Sequence, residues 1–164
     1  EDIAEDPPRI FWPKEIWGQY TDDVHAFRRP EQRERAVQCL NAMVSDALKH
    51  IPDCLAYMAM LRDPTVFQFC AVPQVMAVAT LAKLYNNPDV FTGVVKISKG
   101  LACQLMLDCG SQASLLRQFG RFMSHLLAAA ERVEPEGPIV ARLRDLLECN
   151  AALQSDERQR GATP

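Results

Sequence analysis

The 164-residue chain has six cysteines but no C-x-x-C pair. Cys39, Cys54, Cys70, Cys103, Cys109 and Cys149 are scattered, which excludes a dense disulfide framework. They read as reduced, mostly buried thiols facing a cytosolic-type compartment. Histidine is scarce as well, at three. His50 and Cys54 stand four apart, as two helical metal ligands would. Pro52 lies between them, however, and His25 and His125 are remote, so the four convergent ligands of a structural zinc site are not at hand. A basic excess is also missing: the formal net charge is −3, which argues against binding a nucleic-acid backbone. No run of 18 apolar residues occurs. The most apolar stretch, Phe69 to Leu84, is interrupted by Pro73, Gln74 and Lys83, so a buried helix is expected there rather than a membrane span. The chain opens on Glu1-Asp2, with neither methionine nor a charged-then-apolar leader, and so reads as part of something longer.

Hydrophobic residues make up 48% of the chain, which with so small a net charge excludes disorder over most of its length. A chain of this size buries on the order of 70% of its unfolded surface, enough for one core. Apolar residues recur at spacings of three and four, and no alternating run suggests a strand. Residues 1–6 read as the last turn of a helix stopped by Pro7-Pro8. Phe11-Trp12-Pro13 leads into a short helix, with Pro13 near its first turn. A long helix over 31–49 carries the stripe Ala36, Val37, Leu40, Met43, Val44 and Leu48. Further helices are expected over 52–62, from Pro64 to about Tyr85, to about Asp108, over 112–132 and over 139–153. Asn86-Asn87-Pro88 and residues 134–138 are breaks. Residues 89–96 could be a helical turn or extended, and 155–164 are expected to be a polar disordered tail. The fold class is all-α.

Three clusters could carry chemistry. Asp2, Glu5 and Asp6 form D-x-x-E-D, which on a helix points three carboxylates one way. Such a trio suits Mg²⁺ completed by substrate phosphate and water, and a helix C-terminus favours a cation. It also suits an ordinary solvated helix end. Phe67 and Phe69, followed by Gln74, could line a pocket in which aromatic faces stabilise a cation, or could pack in a core. Lys96, Ser98 and Lys99 beside Gly100 could bind phosphate, or form a solvated basic turn.

The order of these motifs resembles squalene synthases. The resemblance is carried by Asp2-x-x-Glu5-Asp6, Phe11-Trp12-Pro13, Ala36-Val37-Gln38-Cys39-Leu40-Asn41 and His50-Ile51-Pro52-Asp53. It continues through Val66-Phe67-x-Phe69-Cys70-Ala71-x-Pro73-Gln74-Val75-Met76-Ala77, Tyr85-Asn86-Asn87 and Val95-Lys96-Ile97-x-Lys99-Gly100. It runs from residue 1 to about 110, and more loosely to about 150. It implies an all-α isoprenoid synthase fold, here a partial helical bundle. The implied enzyme joins two farnesyl diphosphates head to head through presqualene diphosphate, then reduces that intermediate with NADPH to squalene for sterol biosynthesis. Asp2, Glu5 and Asp6 would then hold Mg²⁺ against diphosphate, with Asp2 and Asp6 foremost. Phe67 and Phe69 would shield the carbocation, with Gln74 as the polar contact of that wall. Lys96, with Ser98 and Lys99, would meet the NADPH phosphates. Ser98 and Glu1 stand where arginine is common in the family, so phosphate recognition would shift to Lys99 or to residues outside this chain.

By the same resemblance, residues 1–154 would be the C-terminal part of a squalene/phytoene synthase-type catalytic domain. A first aspartate motif would lie in an upstream half. A membrane anchor beyond the chain would tether the whole to the cytosolic face of the endoplasmic reticulum, and this fragment alone would be soluble and inactive. Two rival readings are a phytoene synthase-like prenyltransferase, which needs no NADPH, and a non-catalytic helical interaction module.

Overall fold

Helix starts are set by proline and by short polar caps. The computed structural model describes residues 10–161, which form seven α-helices and no strand among the described residues. α1 spans Lys14–Trp17, α2 Arg33–Ala47, α3 Ile51–Met60, α4 Pro64–Leu84, α5 Lys99–Asp108, α6 Gln112–Val133 and α7 Pro138–Gly161. Short 3₁₀ segments fill Val24–Arg28, Pro30–Gln32, Leu48–His50 and Pro88–Phe91. At the start of α4, Asp63 accepts from Thr65 N at 2.8 Å and Val66 N at 3.0 Å, while Pro64 occupies the first helical position. α6 opens with a reciprocal cap: Ser114 N donates to Ser111 Oγ at 3.3 Å and Ser111 N to Ser114 Oγ at 3.1 Å.

The expected helix over 31–49 is thus a shorter α-helix flanked by two 3₁₀ turns. The larger difference is at the far end. Residues 155–161 continue α7 instead of forming a disordered tail. Ser155 Oγ bonds back to Ala151 O at 3.1 Å, and Asp156, Glu157, Arg158 and Gln159 face no helix breaker until Gly161.

The main core lies where α4, α6 and α7 meet. Leu115, Leu116, Phe119, Met123 and Leu126 of α6 are buried, as are Ile139, Val140, Leu143 and Leu146 of α7. Asn150, 2% exposed, is a polar residue in that interface; its Nδ2 donates to Leu116 O at 3.1 Å, as Gln154 Nε2 does at 3.2 Å. Gly120 makes the close approach possible, because a Cβ there would sit 2.9 Å from Asn150 Nδ2.

A second, smaller core gathers Trp17, Val24, Phe27, Ala36 and Cys39 with Trp12, Tyr20 and Phe91. Trp12, Phe27 and Phe91 close an aromatic triangle, with ring centroids 6.0–6.3 Å apart in tilted and edge-on geometry. The triangle ties the Phe11-Trp12-Pro13 loop to the 3₁₀ segment ahead of Lys96. Trp17 Nε1 donates to Trp12 O at 3.0 Å and locks the loop.

Candidate functional site: the open face of α4

α4 is apolar on nearly all sides, and only part of it is covered. At 21 residues, with a mean hydropathy of 1.5 in its most apolar window, it is long and apolar enough to cross a membrane by length and composition. One face is committed to the protein core instead: Phe67, Ala71, Val75, Val78 and Ala79 are buried, and the helix packs on α6. The opposite face carries Val66, Phe69, Pro73 and Ala77, all exposed, at helical steps of three and four.

This geometry separates the two phenylalanines. Residues two apart on a helix are rotated by about 200°. Phe67 therefore points into the core at 6% exposure, while Phe69 stands out at 80%. They do not share one wall, and Phe67 plays the packing role that burial of phenylalanine ordinarily means. Gln74 is half-buried at the margin of the open face. It lines a concavity of about 610 Å³ together with His50, Cys54, Pro73, Ala77 and Phe119. Sequence reasoning missed His50, Cys54 and Ala77 as lining residues. For Ala77 the signal was available, as the next i+4 step after Phe69 and Pro73. Tyr57 and Met60 of α3, and Met106 and Leu107 of α5, add exposed apolar surface, with Leu107 83% exposed.

Lys96 and Lys99 are both exposed. Ser98 is the N-cap of α5, its Oγ accepting from Leu101 N at 3.1 Å, and a hydroxyl used this way can still donate. Two ammonium groups beside the amide end of a helix suit an anion.

Asp2, Glu5 and Asp6, the proposed metal ligands, lie outside the described residues, as does Glu1. Among the described residues no group of three or more His, Cys, Asp or Glu could hold a metal ion.

Several quoted motif residues prove to be scaffold. Asn86 adopts the left-handed conformation (φ 53°), and its N–H donates to Asn41 Oδ1 at 2.7 Å. Arg33 donates to Pro88 O at 2.8 Å. Tyr85 OH donates to Glu134 Oε1 at 3.0 Å, and burial, with this bond second, pushes its pKa up. The cysteines are all free, but only Cys39 and Cys109 are buried, while Cys103 and Cys149 are exposed. Burial pushes the Cys39 thiol up to about 11, so it is inert at neutral pH.

The profile of the squalene/phytoene synthase family matches residues 1–100, and the chain belongs to that family. Squalene synthase LSS of Botryococcus braunii is 47% identical over the whole chain, which spans 37% of that protein. Squalene synthase of Mus musculus is 56% identical over 61% of the chain and 24% of its own length. A protein named Inactive squalene synthase 2, from Arabidopsis thaliana, is 52% identical over 65% of the chain and 26% of its own length. Among solved structures, TcSQS in complex with the ligand BPH1237 superposes with a TM-score of 0.82 at 41% identity, covering 94% of this chain and 45% of that one. The isoprenoid synthase fold is therefore established. The chain spans between about a quarter and somewhat under half of the length of these relatives.

Proposed function

We propose that this chain is the C-terminal part of the catalytic domain of a squalene synthase. The whole enzyme would condense two farnesyl diphosphates to presqualene diphosphate and reduce it with NADPH to squalene. The observation that carries the reading is an 80%-exposed phenylalanine, Phe69, on the uncovered side of a helix whose other side is core. An apolar wall of this kind suits a cavity closed by the upstream half of the domain, where water is kept from a carbocation.

In that setting Asp2 and Asp6, with Glu5, would hold Mg²⁺, which neutralises the departing diphosphate. Phe69 offers its ring face to the cation, Gln74 supplies a polar contact at the edge of the wall, and Phe67 supports the helix from behind. Lys96 and Lys99 attract the cofactor's phosphates at the start of α5, and Ser98 adds a hydroxyl. The enzyme would sit on the cytosolic face of the endoplasmic reticulum, tethered by a segment outside this chain.

The test is product analysis with the full-length protein. Mg²⁺-dependent diphosphate release from farnesyl diphosphate, and squalene only when NADPH is added, are expected. A C40 product from a longer substrate, indifferent to NADPH, would select the phytoene synthase alternative. The 52% identity to a relative named inactive keeps a non-catalytic helical module as the second reading. It is selected if Asp2→Ala and Asp6→Ala leave magnesium affinity unchanged.

A further inference from the structure

The outward face of α6 carries charge of one sign. Over Gln112–Val133 the helix holds three arginines, Arg117, Arg121 and Arg132, against one acid, Glu131, in a chain whose formal net charge is −3. At about 100° per residue, Arg117, Arg121, His125 and Arg132 fall within an arc of about 80°, drawn out over about 22 Å of helix. All four are exposed. Glu131 stands outside the arc and is already engaged, accepting from Arg144 Nη2 of α7 at 2.6 Å. Among the described residues, none of the three arginines joins an ion pair. Arg121 lies against the ring of Phe122, its guanidinium carbon 5.2 Å from the centroid, which steadies one charge over the helix surface. The exposed neighbours Ser124 and Ala128 are small, so the guanidinium groups stand above their surroundings.

We propose that this stripe is a contact face for an anionic lipid surface. Guanidinium groups pair with phosphate and carboxylate oxygens through two parallel N–H bonds, and both oxygens occur in anionic headgroups. The arginines project from successive turns of a convex helix and do not converge on one point. A single small anion is therefore poorly enclosed, whereas a sheet of headgroups offers charge along the whole line. A protein partner would want an apolar centre within the contact. Between Arg117 and Arg132 no large apolar residue is exposed. Basic clusters on a helix are drawn to anionic leaflets by about fivefold in binding per arginine near the surface, and the pull fades within a Debye length. The rest of the chain, acidic in balance, is then held on the solvent side. The inference does not depend on the reaction proposed above.

The experiment is flotation of the 164-residue chain with lipid vesicles. Binding is expected to phosphatidylcholine vesicles containing phosphatidylserine at about 0.1 M salt, with release at about 1 M, where the Debye length drops from about 10 to about 3 Å. Replacing Arg117, Arg121 and Arg132 together (R117Q/R121Q/R132Q) is expected to weaken binding on the order of a hundredfold. Glutamine suits a helix as well as arginine does, and circular dichroism checks that the helix content is kept. Lysines at the same three positions should restore binding, because they restore the charge. A charge-matched control, R28Q/R29Q/R35Q, removes three exposed arginines near the start of α2 and is expected to bind within about threefold of wild type. Equal binding to phosphatidylcholine alone overturns the inference, since the apolar side of α4 would then be responsible. Equal loss in both glutamine variants overturns it in favour of net charge alone. Undiminished binding by R117Q/R121Q/R132Q, or no binding by wild type, also overturns it, and none of these results bears on squalene formation.

Discussion

α4 and α6 are nearly equal in length, at 21 and 22 residues, and they pack on each other, yet they are built on opposite plans. α6 separates its faces: Leu115, Leu116, Phe119, Met123 and Leu126 go inward, while Arg117, Arg121 and His125 go to solvent. α4 is apolar toward the core and apolar away from it. A helix with one apolar stripe is finished once that stripe is covered, whereas one apolar all round requires a second neighbour. The difference teaches where function lies. α6 is structural on its inward face, and the uncovered half of α4 is the wall of the site proposed above.

Substitutions on the two helices sharpen this contrast. The largest effect is expected from Leu126→Ala, which empties a 1%-exposed position of α6 and should cost about 2–5 kcal/mol in a urea titration. Gly120→Ala should cost about 1–3 kcal/mol by the same measurement, since its new Cβ would press on Asn150 Nδ2.

At the end of α4, Tyr85→Phe should cost about 1 kcal/mol below pH 10. Because the folded pKa of Tyr85 is raised above an unfolded value of about 10, its contribution is complete below that pH. It is lost as pH climbs, since the unfolded chain releases the proton first. The variant should flatten this alkaline decline in stability. Cys39, raised to about 11, leaves a residual slope.

The smallest effect on stability is expected from Phe69→Ala on the open face, within about 0.5 kcal/mol. In the full-length enzyme the same change should lower NADPH-dependent squalene formation on the order of tenfold or more. A large loss of stability from Phe69→Ala would break the comparison, because the open face would then be part of the core.

Much of the fold was legible in residue types. Pro13 and Pro64 open helices and Asn86-Asn87-Pro88 ends one, through local geometry that a sequence states directly, whereas the caps made by Ser98 and Ser111 emerge only in the structure. The tail was misread because polarity alone does not unmake a helix that is already propagating. The site was half legible. The motif marked Phe67 and Phe69 together, but motifs do not say which face a helix turns to its neighbour. Nothing in the string F-x-F distinguishes the buried ring from the exposed one.

The order of polar and apolar residues thus determined the helices and their ends, while specific motifs carried the resemblance to the family. Tertiary packing decided which side of α4 is sealed. The reason is physical: helix starts and stops arise from contacts within a few residues, whereas burial depends on what α6, distant in the chain, brings against the helix.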